Sequence, residues 1–211
     1  MLTKIAEAAK PAKPAPLRYA IGQIRRIQII TVTWMSAEVA LSLYAAWKAR
    51  SPALLGFGGD SFIELFSAIV VWWRFASGAP AEQAERRAAK VAGVLLFALA
   101  ALVAGSSAVT FLGHNEPRPT RLGIGILMAA AVVMPWLAKE KRRLARVTGS
   151  SALKADAAES AMCGYLSVIA LIGLLCNAIW HVSWADPVAA LCLLPLIVRE
   201  AWEALGGRRE C

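Results

Sequence analysis

The stretch LLGFGGDSFIELFSAIVVWWRF, residues 54–75, is long and apolar, yet it carries two acids, Asp60 and Glu64, in its interior. A helix of about 20 apolar residues spans the hydrocarbon core of a bilayer, since each residue adds about 1.5 Å. Four runs in the chain reach that length with little charge, and two more qualify if a few acids are allowed. The sequence therefore predicts an all-α fold, an integral membrane bundle of six transmembrane helices.

The overall composition agrees with a membrane protein. The chain has 211 residues, of which 58% are hydrophobic and 18% charged, and its mean hydropathy is +0.56. These values exclude a soluble globular enzyme. Four cysteines occur without a C-x-x-C pair, so the sequence predicts neither a disulfide framework nor a zinc finger.

The hydrophobic runs divide the chain into three parts. Residues 1–23 are predicted to be a basic, disordered cytoplasmic arm, residues 24–205 a six-helix transport domain, and residues 206–211 a short cytoplasmic tail. At the start of the sixth helix, Asp186 is expected to cap the first free N–H groups of that helix. The helices are predicted near residues 24–47, 54–76, 89–112, 121–138, 152–176 and 186–204.

The basic residues are distributed unevenly between the two sides of the predicted bundle. Nineteen lie in the N-terminal arm, the segments 74–90 and 139–154 and the C-terminal end, against four on the other side. The positive-inside rule places both termini and the loops 77–88 and 139–151 in the cytoplasm. The net charge of +9 is thus assigned to topology and not to nucleic acid. The basic segment 139–146 is expected to be a solvated loop, with contact to anionic lipid head groups as the alternative.

Acidic residues inside the predicted helices are the most informative feature. A carboxylate at mid-bilayer costs about 2.5–3.5 kcal/mol on the insertion scale, and no Lys or Arg is expected deep in any helix to pair with them. Such acids require cations, which are either protons or metal ions. For a lone acid in the first helix, protonation or hydrogen bonding between helices is an equal alternative. The acids are Glu38, Asp60, Glu64, Asp156 and Glu159.

The spacing of these residues favours a metal site. Asp60 and Glu64 lie one helical turn apart, and Asp156, Glu159 and Cys163 share a face of the fifth helix. Two helices that each offer a pair of ligands can supply the four donors of a tetrahedral site. Carboxylates combined with a thiol are compatible with zinc and less so with magnesium or calcium. In the alternative interpretation, Cys163 only fills space in the core.

Three stretches together resemble the transmembrane domain of the cation diffusion facilitator family of divalent-metal transporters, over roughly residues 24–205. In that family the second helix carries an acidic pair and the fifth a His-x-x-x-Asp pair. The resemblance therefore implies a metal site of Asp60, Glu64, Glu159 and Cys163, with Asp156 as a secondary candidate. Asp156 and the intramembrane acid Glu38 are expected to form a secondary metal or proton site. The stretches are LLGFGGDSFIELFSAIVVWWRF (54–75), ALKADAAESAMCGYLSVIAL (152–171) and WADPVAALCLLPLIVREAWEAL (184–205).

The chain departs from the family pattern at two ligand positions and in length. Glu159 stands where the family has histidine, and Cys163 where it has aspartate. The sequence stops at Cys211, whereas typical members continue into a cytoplasmic metal-binding domain that helps them dimerise. The resemblance is thus to short members, and a homodimer is expected to form through the membrane helices.

The resemblance implies a secondary transporter, not an enzyme, that exports a divalent transition-metal ion. Zinc is the favoured substrate, exchanged for protons by alternating access, and no metal is expected to be permanently bound. The protein is expected in the bacterial inner membrane, in contact with the lipid bilayer. Two alternatives stay open: a membrane metal-binding or partner-regulating protein without turnover, and a proton-coupled exporter of organic cations, which would need aromatic residues such as Phe62 and Phe66 around the acids.

Overall fold

A computed structural model shows an all-α bundle and confirms the predicted fold class. It describes residues 15–77, 81–114, 116–149 and 151–206, and over these ranges it contains six helices and no strand. Short connections join successive helices, so that neighbours in sequence run in opposite directions. The helices are α1 (Ala15–Ala49), α2 (Pro52–Ser77), α3 (Ala81–Phe111), α4 (Arg121–Thr148), α5 (Ser151–Trp180) and α6 (Ala185–Leu205).

Two helices begin earlier than the sequence predicted. Helix α1 starts at Ala15, so residues 15–23 of the predicted disordered arm are helical, while residues 1–14 and 207–211 lie outside the described part. Helix α3 starts at Ala81 and takes in most of the predicted loop 77–88. The α3 extension, AEQAERRA at residues 81–88, is rich in Ala, Glu, Gln and Arg, which have high helix propensity and need no apolar face. Polar helical turns that project beyond the apolar region therefore account for the earlier start of α3.

The largest correction concerns the basic segment 139–146, which is not a loop. Helix α4 continues through it to Thr148 and ends at Gly149, which adopts a left-handed conformation with φ 65°. Glycine accepts this conformation without a steric penalty and commonly terminates helices. The segment is built from residues of high helix propensity, so the helix continues where the hydrophobicity stops. One of its residues, Lys141, is fully buried, in contrast to the expected solvated face.

Four of the described helical segments are long and apolar enough to cross a membrane by length and composition. Within the residues that the search covered, α2 and α6 contribute no such segment, and both helices contain acidic residues between their ends. All six helices pack in one bundle, and the four apolar segments are those of an integral membrane protein. The four segments are Gly22–Ala49, Lys90–Phe111, Arg121–Thr148 and Asp156–Trp180.

Helix α2 occupies the centre of the bundle, because it packs against α1, α3, α5 and α6. Its glycines permit this close packing. A Cβ atom added to Gly58 would lie 2.5 Å from Oγ of Ser42 on α1, which is closer than van der Waals contact allows. The side chain of Asp60, two residues further along α2, is consequently enclosed by other helices and fully buried.

The sequence predicted that Asp186 caps α6, but the structure shows a different role for this residue. Residue Trp184 holds the N-cap position of α6 and makes no side-chain capping bond. Instead, the Asp186 carboxylate accepts a hydrogen bond from Ser51 Oγ at 2.5 Å and one from the backbone N–H of Ala53 at 3.2 Å. Asp186 thus satisfies a free N–H group at the start of α2 and ties the beginnings of α2 and α6 together.

Replacing Gly173 with Ala is expected to destabilise the bundle by about 1–3 kcal/mol, the usual cost of overpacking. A Cβ atom at this position in α5 would lie 2.4 Å from Cβ of Ala189 on α6 and 3.2 Å from a backbone oxygen, neither of which can rotate away. Gly125→Ala is the matched control, since nothing lies within 4 Å of the added atom. Thermal unfolding measures both, and equal melting temperatures would contradict the close α5–α6 contact.

Candidate metal site

Three carboxylates from two helices meet inside the bundle. Asp60 and Glu64 project from α2, one turn apart, and Glu200 projects from the last third of α6. Their ligand oxygens all lie within 4.8 Å of one another, a separation that allows one ion to contact all three. Asp60 is completely buried, and Glu64 and Glu200 are partly so. The predicted pairing of Asp60 with Glu64 is therefore present as geometry, and α6 adds a third oxygen donor.

Some carboxylate oxygens of this three-carboxylate cluster accept no hydrogen bond from the described residues. Neither oxygen of Asp60, nor Oε1 of Glu64, accepts a hydrogen bond from any residue that the structure describes. A buried polar atom without a partner is rare, because desolvation costs about 1–3 kcal/mol when no bond replaces water. Negative charges this close also repel one another unless protons or a cation neutralise them. The cluster is thus suited to hold a cation.

Glu200 was missed by the sequence reasoning. Its neighbours Arg199 and Glu203 make this end of α6 look like a solvated surface, and they do form an exposed ion pair at 2.8 Å. Glu200 itself faces α2. The only signal in the sequence was an acid within the span predicted for residues 186–204. The position of Glu200 beside Asp60 and Glu64 depends on the packing of α6 against α2, and the sequence pattern of one helix does not reveal that packing.

The two predicted ligands on α5 behave differently from each other. Glu159 lies close enough to act electrostatically on both Asp60 and Glu64. The Cys163 thiol is fully buried and donates to Oε1 of Glu38 at 3.3 Å. Both side chains therefore lie near the three-carboxylate cluster, since the Cys163 thiol also interacts electrostatically with Asp60 and Glu64. They differ in that the Cys163 thiol is hydrogen-bonded within a neighbouring group of polar side chains.

Glu38 on α1 is the centre of that neighbouring group. Its Oε2 accepts a hydrogen bond from the indole Nε1 of Trp34 at 2.6 Å, and its Oε1 accepts one from Ser61 Oγ at 2.9 Å. Cys163 supplies the third donor. Glu38 is therefore hydrogen-bonded between α1, α2 and α5, and it is close enough to act electrostatically on Asp60. A role for Glu38 as a secondary metal or proton site stays a prediction.

Asp156 has a cationic partner, contrary to the expectation that no Lys or Arg lies deep enough to pair with an acid. The ammonium group of Lys141 donates to Asp156 Oδ1 at 2.8 Å and to Ser160 Oγ at 2.9 Å. Gln28 Nε2 donates to Asp156 Oδ2 at 2.7 Å. The error arose because α4 was predicted to end at residue 138, which placed Lys141 in a loop. The network joins α1, α4 and α5.

Buried carboxylates on the central helix of a membrane bundle are typical of helical membrane proteins whose intramembrane acids serve ion pathways or proton relays. Comparison with known families agrees, since residues 29–205 match the cation efflux transmembrane domain. The match covers most of the chain, from the middle of α1 to the end of α6. The chain therefore belongs to the cation efflux family, as the resemblance of its second, fifth and sixth helices implied.

Two curated relatives come from Bacillus subtilis (strain 168). The manganese efflux system protein MneS is 24% identical over 173 residues, which cover 78% of this chain and 59% of MneS. The uncharacterized transporter YdbO is 28% identical over 123 residues, which cover 57% of this chain and 41% of YdbO. The chain thus spans about half the length of these relatives.

Proposed function

We propose that this chain is a secondary transporter that exports a divalent metal cation in exchange for protons. The observation that carries this proposal is the cluster of Asp60, Glu64 and Glu200, whose oxygens lie within 4.8 Å of one another inside a membrane bundle. A fixed structural role does not account for the cluster, because both oxygens of Asp60 and Oε1 of Glu64 lack donors among the described residues. A binding site for a mobile cation accounts for it.

Manganese is the ion that we place first, ahead of the zinc that the sequence favoured. The zinc interpretation depended on a thiol ligand, Cys163. The cluster contains oxygen donors only, and carboxylates suit hard ions such as manganese. Glu159, which acts electrostatically on the cluster, is the fourth ligand that we propose. Support also comes from one relative, whose name describes manganese efflux.

Exchange for protons follows from the charge of the site. Several carboxylates carry more negative charge than one divalent ion neutralises, so the empty site is expected to retain protons that the metal displaces. Protons that enter from the other side would in turn release the metal. Helices α2 and α6 both supply ligands, and a small displacement of one against the other would open the site to one side at a time.

Replacing Glu200 with Gln is expected to weaken manganese binding at least about 100-fold, more than the 10–100-fold typical of a lost outer-shell contact. The substitution removes one charged ligand and keeps the size of the side chain. Glu203→Gln is the matched control, because Glu203 lies one turn further on α6 and pairs with Arg199 at the surface. Calorimetric titration of the purified protein with manganese measures both. Equal affinities in the two variants would remove Glu200 from the site.

Replacing Cys163 with Ala is expected to leave the ratio of cadmium to manganese affinity unchanged within about 2-fold, since its thiol already bonds to Glu38. Loss of a thiolate ligand would instead weaken cadmium far more than manganese. Cys163→Ser, which keeps a donor to Glu38, controls for the lost hydrogen bond. A cadmium-selective loss in both variants would return Cys163 to the ligand set and favour zinc over manganese.

Two alternative functions are less well supported. A metal-binding or partner-regulating protein without turnover would have the same site, and only flux across a membrane separates it from a transporter. An exporter of organic cations would need aromatic residues around the acids. Phe62 and Phe66 are 49% and 39% exposed at the surface of α2, so they do not enclose the cluster. Family membership favours transport over catalysis.

The cellular setting is likewise a proposal. The relatives are bacterial, which favours the plasma membrane. The distribution of Lys and Arg favours cytoplasmic termini. A homodimer through the membrane helices is implied by the family resemblance, and cross-linking in native membranes would test it.

A further inference from the structure

A groove on the outside of the bundle is separate from the metal site. It lies between α4 and α5, at the end where α4 finishes and α5 begins, and has a volume of about 960 Å³. Lining residues reach from Gly149 at the end of α4 to Pro135 in its middle. Fourteen residues of helix correspond to roughly 21 Å, which exceeds half the thickness of a hydrocarbon core of about 30 Å. The groove is therefore long enough to run from the head groups to mid-bilayer.

One end of the groove is strongly cationic. Lys139, Arg142 and Arg146 line it from α4, where they follow one another at helical spacing, and Lys154 lines it from α5. All four are exposed. None of them forms an ion pair with a described residue, and no carboxylate is among the described residues that line the groove. These four cations converge without a protein partner.

The adjacent basic residues of α4 are already neutralised. Lys141 points inward to Asp156, and Arg143 pairs with Glu140 at 2.6 Å. Helix α4 thus separates its bases into those with protein partners and those that face the groove. A topology signal alone would require only the number of bases, not this separation.

The other end of the groove is apolar. Its walls there are Pro135 from α4 and Gly164, Tyr165 and Val168 from α5. The two helices approach closely at this point, since a Cβ atom on Gly164 would lie 3.1 Å from the Pro135 ring. Gly164 forms the floor of the groove, over which a hydrocarbon chain can lie. Tyr165, which is 66% exposed, forms one side of the groove.

We propose that this groove binds an anionic phospholipid of the leaflet at its cationic end. The lipid phosphate contacts the four bases, and an acyl chain lies along the apolar end. Free phosphate would leave the apolar half empty, and a second copy of the chain would bring like charges together. Charge and shape therefore both favour a lipid, in agreement with basic pockets between transmembrane helices that bind acidic head groups. The site does not depend on the proposed transport function.

The test uses the full-length protein in detergent, with phosphatidylglycerol and phosphatidylcholine as probes and native mass spectrometry as the readout. The groove variant is Arg142→Gln combined with Arg146→Gln. The matched control is Arg143→Gln combined with Arg199→Gln, which removes the same charge from residues that have carboxylate partners. Each base near the membrane surface contributes roughly 5-fold in affinity, so the groove variant should lose about 25-fold for phosphatidylglycerol. Thermal unfolding verifies that both variants fold.

Three outcomes would overturn the proposal. An equal loss of phosphatidylglycerol binding in both double variants would show general charge attraction instead of a groove. Displacement of the lipid by glycerol phosphate at equal concentration would show a phosphate site without a role for the acyl chain. A changed monomer–dimer ratio with unchanged lipid binding would identify the groove as an interface between copies. Loss in the groove variant alone, without glycerol phosphate displacement, supports a lipid site.

Discussion

Replacing Asp60 with Asn is expected to abolish manganese transport while it raises the melting temperature of the metal-free protein. Asp60 is completely buried and lies within 4.8 Å of two other carboxylates. Asn keeps the volume of Asp60 and removes the cost of desolvating and neutralising a carboxyl group beside two others in the empty site, so the apoprotein gains stability. The same change removes the ligand that the structure encloses most completely. Activity and stability should therefore move in opposite directions.

The stabilising effect of metal separates this interpretation from a simple packing effect. A ligand at 100 times its Kd stabilises a protein by about 2.7 kcal/mol, so manganese should raise the melting temperature of the wild type. The Asp60→Asn variant should show no such rise. Glu203→Gln, at an exposed position, should respond to manganese as the wild type does. A lower melting temperature for metal-free Asp60→Asn would contradict the repulsion on which the site assignment depends.

Replacing Lys141 with Met is expected to cause the largest loss of stability among single substitutions outside the metal site. Lys141 is fully buried, and its ammonium group lies 2.8 Å from a carboxylate of Asp156 that is 30% exposed. Breaking a buried pair costs about 3–5 kcal/mol because one charge remains without its partner. The exposure of Asp156 places the expected loss near about 3 kcal/mol. Chemical unfolding with tryptophan fluorescence measures it.

A double variant identifies the cause of this loss. Lys141→Met combined with Asp156→Leu removes both charges, and an apolar pair of similar volume is often neutral or stabilising. The double variant should therefore recover most of the stability. Arg143→Met is the control on the same helix, since its exposed pair with Glu140 contributes no more than about 1 kcal/mol. A double variant less stable than Lys141→Met would show that Asp156 is held mainly by Gln28.

The hydrophobic pattern predicted the number and order of the helices, but not where they end. A run of apolar residues reports where lipid surrounds a helix, and it does not report where the helix stops. Residues 139–148 illustrate this, since they are polar and still helical until Gly149. The ends depend on helix propensity and on capping residues, which act after the apolar run is over.

The candidate site was predictable where its residues share a helix. Asp60 and Glu64 stand one turn apart, and that spacing is visible in the sequence. Glu200 and Lys141 became visible only through contacts between helices. Glu200 joins the site from α6, and Lys141 reaches Asp156 from α4. In the sequence, both residues stand among charged neighbours that face the surface, so their own inward orientation is not visible there.

Flux of manganese into proteoliposomes, followed with a metal-sensitive dye under an imposed proton gradient, tests the central claim most directly. The wild type and the Glu203→Gln control should accumulate manganese when the lumen is acidic, and uptake should stop when the gradient is collapsed. Asp60→Asn and Glu200→Gln, reconstituted in equal amounts, should show only the leak of empty liposomes. Manganese binding by the wild type without gradient-driven flux, or equal flux in all four proteins, would contradict a proton-coupled exporter built on the three-carboxylate cluster.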